Sequence, residues 1–134
     1  MKLKLSAIFP LINAHTALGK GDEVATKTIW NAAKNLVLLK REWETFQETR
    51  KQVILKISGG KYSDNPPEPA TPAEKATVTE ELRLANLAIN DMLATETEIE
   101  NLLRFDAKLL KIGKNKLAPE DLATLMPLID GEPE

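Results

Sequence analysis

The sequence predicts a mainly α protein, in which a long central helix packs antiparallel on a second helix, with short helices toward both ends and scope for one small β pair. Three observations point there. Apolar residues recur at 3-4 spacing over four heptads between Asp22 and Ser58, with no Gly or Pro inside the run. A second stripe, Val78, Leu82, Ala85, Ile89 and Met92, repeats at 4-3-4-3 intervals. Only 4% of the 134 residues are aromatic, so the core must be built chiefly from Leu, Ile, Val and Ala, a mix that suits helices.

Lys2 to Leu5 alternates charge and leucine, the two-residue period of a strand with one buried face. Ser6 then caps a first helix whose stripe is Ile8, Leu11, Ile12, His15 and Leu18; Pro10 falls early enough to break few bonds, and Gly19 and Gly21 end the element. Asp22 and Glu23 open the long helix at its positive end. Ile29, Leu36, Trp43, Arg50 and Ile57 recur every seven residues along it, with Ala32, Leu39, Phe46 and Val53 between them. A helix of about 35 residues would be about 50 Å long. That exceeds the roughly 30 Å expected of a compact domain of this size. The surplus apolar length predicts a homo-oligomer, most simply a two-fold dimer.

Gly59 and Gly60 stop the helix, and residues 61–73 read as a proline-rich connector carrying Pro66, Pro67, Pro69 and Pro72. The third helix starts near Thr71 or Thr77. Residues 95–100 alternate in twos, and 99–112 read as a strand or small hairpin, with an extension of the third helix as the rival. Part of 99–112 is the expected partner for residues 2–5. Pro119 occupies a favoured first helical position, followed by Glu120 and Asp121 and by the short stripe Leu122, Leu125, Met126 and Ile129. One domain spanning 1–134 is expected.

The lack of cysteine excludes a disulfide framework and thiolate chemistry, and a formal charge of −2 leaves no global footprint for duplex nucleic acid. No stretch approaches the ~20 apolar residues of a membrane span, and Pro10 and Asn13 break the apolar start before any cleavage pattern, so an intracellular protein away from membranes is expected. The single histidine, His15, lies on an apolar helix stripe and reads as a packed ring rather than a catalytic base. The glycines of Gly19-Lys20-Gly21 and Gly59-Gly60-Lys61 lack phosphate-loop spacing and read as helix ends. Glu96, Glu98 and Glu100 read as a solvated acidic edge in preference to a metal site. No catalytic, cofactor or metal residue is assigned, and a non-enzyme is expected.

Charge distribution says more than its sum. Residues 1–60 carry ten Lys or Arg against five acids, and residues 61–134 carry eight against fifteen. Within the acidic half, Arg104, Lys108, Lys111, Lys114 and Lys116 form a basic cluster. It reads as internal or intersubunit pairing, with an anion site for nucleotide phosphate as the sharper alternative. Trp43 and Phe46 sit at consecutive seam positions, Arg50 at the next, and Trp30 just off the seam. An unpaired charge at a seam is costly, so Arg50 needs a carboxylate, a ring or an anionic ligand. The candidate ligand or partner contacts are therefore Trp30, Trp43, Arg50, Lys108, Lys111 and Lys114.

The Lys/Leu start before a short helix, the long helix over 23–56 with aromatics near its middle, the run Leu102-Leu103-Arg104-Phe105-Asp106-Ala107-Lys108-Leu109 and the stretch Leu117 to Ile129 together carry a resemblance. They resemble a family of small, functionally uncharacterised proteins of tailed bacteriophages and prophages. Ala118 stands where that family has Ser or Thr. The resemblance implies a phage origin and carries over no functional residue. It points to a non-catalytic binding protein in the host cytoplasm, acting in counter-defence by sequestering a nucleotide signal or masking a host protein. The alternative is a virion assembly component: a head–tail connector, minor structural protein or assembly chaperone.

Overall fold

The computed structural model describes residues 1–20, 25–110 and 117–131 and is mainly helical. The chain divides into two compact units, one made of Met1–Trp43 with Glu96–Glu134, the other of Glu44–Thr95.

The first unit begins with β1 (Lys2–Lys4), which pairs antiparallel with β2 (Glu96–Glu98) in the register Lys2 to Glu98, Leu3 to Thr97 and Lys4 to Glu96. The expected β pair therefore forms, but its second strand lies just before 99–112 rather than within it. Thr97, the β-branched residue between two glutamates, faces Leu3, so the alternation of both segments is what aligns them. Helix α1 (Leu5–Gly19) follows without a spacer. Ser6 is inside it rather than capping it, because Lys4 is held extended in the ladder at φ −69° and ψ 143° and serves as a cap without a side-chain bond. Pro10 thus lies in the second turn, where its missing N–H leaves the Ser6 carbonyl without its helical donor.

The long helix α2 (Thr26–Ile57) is continuous over 32 residues, as the heptads require. Its expected start at Asp22 lies outside the described residues. Ala32 and Leu39 of α2 pack with Ile8, Leu11, Ile12 and Leu18 of α1, and with Ile99, Phe105, Leu110, Leu125 and Leu128. After β2, Asn101 adopts a left-handed φ of 68°, which a short polar side chain tolerates, and turns the chain back. Of residues 99–112, the described part, 99–110, is neither one strand nor a continuation of the third helix. It holds β3 (Phe105–Asp106) and the single-turn α4 (Ala107–Leu110). The apparent alternation arises because Phe105 points inward from the strand while Ala107 and Leu110 do so from the helix. Helix α5 (Pro119–Leu125) packs on α1 and passes through a 3-10 turn, Met126–Leu128, into β4 (Ile129–Asp130), which pairs parallel with β3.

In the second unit the last turns of α2 pack against the antiparallel α3 (Pro72–Ala94) through Ile54, Ile57, Ala85 and Ile89. Gly59 at φ +66° closes α2. The Gly60 N–H reaches the Leu55 carbonyl at 2.7 Å and the Gly59 N–H reaches Lys56 at 3.2 Å, a Schellman ending that a left-handed glycine permits. The connector is anchored by Tyr62, which is 8% exposed. Its N–H donates to the buried Ser58 hydroxyl at 3.2 Å, and its own hydroxyl donates to Glu81 at 3.2 Å. Burial and the Glu81 carboxylate both push the Tyr62 phenol above its ordinary value of 10.0. Thr71 caps α3 by accepting from the Glu74 N–H, while the Glu74 carboxylate accepts from Ala70 at 2.8 Å.

Candidate functional site

The basic residues that α2, β3 and α4 bring together border one cleft in the first unit. Helix α2 supplies Lys27, Thr28 and Asn31; the β3–α4 segment supplies Arg104, Asp106 and Lys108; and Asp130 with Gly131 enters from the end of β4. The parallel pairing of Asp106 with Asp130 brings the last two groups alongside each other. The cleft volume is about 510 Å³, within the usual range for small-molecule sites.

Its charges are not equivalent. Arg104 Nε donates to Asp130 Oδ1 at 2.7 Å, so this cation is neutralised locally. Asp106 Oδ1 accepts from the Lys108 backbone N–H at 3.0 Å and is spent in starting α4. The ammonium groups of Lys27 and Lys108 have no ion pair among the described residues. The cleft thus presents two cations unpaired among the described residues, with Thr28 and Asn31 also lining it. This arrangement can hold an anion, and both carboxylates already accept a hydrogen bond from a neighbouring group.

The other candidates are dispersed. Trp43 is half-buried and stacks on Phe9, ring centroids 5.2 Å apart at 29°, beside the core of the first unit. Arg50 belongs to the second unit, where Nη1 meets Asp64 Oδ1 of the connector at 3.4 Å. Its seam position is resolved by a carboxylate from another element, at a half-exposed site. Trp30 stands out on α2 with Lys34 Nζ 5.1 Å from its ring centroid. Lys111 and Lys114 lie outside the described residues.

Beneath this surface lies a polar cluster that the heptads conceal. His15 is fully buried; its Nδ1–H donates to the Leu11 carbonyl at 2.8 Å, and Nε2 accepts from Asn35 Nδ2 at 3.1 Å. Asn35 also clamps Leu103, donating to its carbonyl at 2.9 Å and accepting from its N–H at 2.7 Å. The ring lies 5.5 Å from that of Phe105. Burial lowers the His15 pKa below its ordinary 6.5, opposed by the bond to Leu11. Asn35 lies three residues after Ala32 and four before Leu39, so a helical projection of the sequence would have placed it inward.

Lys27, which the charge pattern did not single out, joins the site only because residues 27–31 approach 104–108 in space. No family model, curated protein or solved structure matches the chain.

Proposed function

We propose that the chain is a non-catalytic, phage-encoded binding protein that acts in the host cytoplasm and sequesters a nucleotide in the Lys27–Arg104–Lys108 cleft. The observation that carries this reading is the pair of ammonium groups, Lys27 and Lys108, without an ion pair among the described residues, on a cleft where Arg104 pairs with Asp130 and Asp106 caps α4. Two such groups suit the phosphates of one ligand but neutralise too few phosphates to hold a duplex. The phage origin rests on the resemblance of the leucine and acid patterns.

A panel of linear and cyclic nucleotides, followed by thermal shift and calorimetry, tests this. A ligand at a hundred times its Kd stabilises the fold by about 2.7 kcal/mol and raises Tm accordingly. Lys108→Glu is expected to abolish the shift while leaving the unliganded Tm within a degree or two, since the side chain is exposed. A flat panel would overturn the reading.

A second reading, a virion assembly component, is favoured by one feature: each two-stranded sheet leaves strand edges to which another chain can add. Mass spectrometry of purified particles separates the two readings, because the nucleotide-binding protein is expected to be absent from them. Under either reading we propose a homo-oligomer, most simply a dimer, formed through the exposed Leu84 and Leu87 of α3.

A further inference from the structure

The part of α2 in the first unit carries a surface that neither its own core nor the cleft uses. Ile29, Trp30, Ala33 and Val37 fall at i, i+1, i+4 and i+8, along one side of the helix. All four are exposed, Trp30 at 61% and Val37 at 68%. Lys34 and Arg41 run beside this stripe seven residues apart, in line with the cleft's Lys27, and Lys40, seven residues after Ala33, falls within the stripe. Between Ala25 and Arg41 there are four Lys or Arg and no Asp or Glu.

We propose that this face docks an acidic amphipathic α-helix of a partner protein. Rows at heptad spacing advance about 10 Å per repeat, the repeat of a facing helix whose own apolar residues recur every seven. Charges beside such a seam select the partner, and here they are all positive, so the partner helix carries Glu or Asp along its flanks. A second copy using the same face would oppose cation to cation. A single-stranded nucleic acid would use the Trp30 ring and the lysines but has no use for Val37, the most exposed large apolar side chain among the described residues. Trp30, an amphipathic ring with Lys34 over its face, is the expected anchor.

Fluorescence anisotropy on the full chain tests this with three labelled probes: a three-heptad helical peptide with Leu at the seam and Glu beside it, the same peptide with Lys for Glu, and a short oligothymidylate. The Glu peptide is expected to bind, more weakly as ionic strength rises. Trp30→Ala and Val37→Ala should each weaken it about tenfold. Lys34→Glu should shift preference toward the Lys peptide. All three side chains are exposed, and unchanged circular dichroism and Tm would confirm intact folding. Failure of the Glu peptide to bind, equal binding of both peptides, or binding of oligothymidylate alone would overturn the proposal. So would self-association abolished by Trp30→Ala, which would assign the face to a second copy.

Discussion

Asn35 and His15 show how one polar pair can fix part of an apolar core. Both atoms of the Asn35 amide are used on Leu103 in the manner of a strand partner, and the same amide nitrogen defines the His15 tautomer. Asn35→Ala leaves the Leu103 N–H and carbonyl without their partner and is expected to cost about 1–3 kcal/mol, read from urea denaturation midpoints. His15 has a definite pH signature. Its folded pKa lies below the ordinary 6.5, so the unfolded chain binds the extra proton first, and stability contributed by the neutral ring is lost as pH falls below about 6.5. A protonated ring would also turn a second donor toward the Asn35 NH2 group. Thermal melts from pH 7.5 to 5 should show Tm falling on the acid side, and His15→Ala should flatten that slope even though it lowers Tm throughout.

Among the elements, the two long helices were the most legible because their periods are long and uninterrupted. The buried positions Ala32, Leu39 and Phe46 are those of the heptads, and the Thr71 cap was one of the two starts open to α3. Short elements were harder. The Lys2–Leu5 alternation identified a strand, but its partner depends on a pairing across more than ninety residues that local pattern does not encode. A two-residue strand running into a one-turn helix switches period before either period can be recognised. The cleft was half legible: Arg104 and Lys108 stood out by charge, whereas Lys27 is one lysine among several until the fold brings it there. Helix α5 has a correctable weakness. Ala118 occupies its cap with φ −65° and ψ 148° and offers no side-chain acceptor to the first turn. Ala118→Ser is expected to add about 0.5–1 kcal/mol of stability, measurable as a higher Tm.

At the scale of the whole molecule, the heptad seam that suggested surplus apolar length is largely covered by the chain itself. Apart from Ile29 at its start, the large apolar side chains left bare on the long helices lie off that seam, at Trp30, Val37 and Leu55 on α2 and at Leu84 and Leu87 on α3. The last pair sits among Glu80, Arg83 and Asp91, a mixed-charge setting in which two copies can face each other without opposing like charges. Sedimentation velocity is expected to show a dimer for the native chain and a monomer for Leu87→Glu; a native monomer would overturn the assignment. The first unit is built from two separated segments, with Glu44–Thr95 between them in the chain. On the ribosome, at about 5–20 residues per second, the opening segment therefore waits several seconds for Ile99, Phe105 and Leu125 to be synthesised, while every residue of the intervening unit already exists. The nascent chain leaves the apolar sides of α1 and early α2 uncovered for that interval, the period in which a chaperone has most to shield.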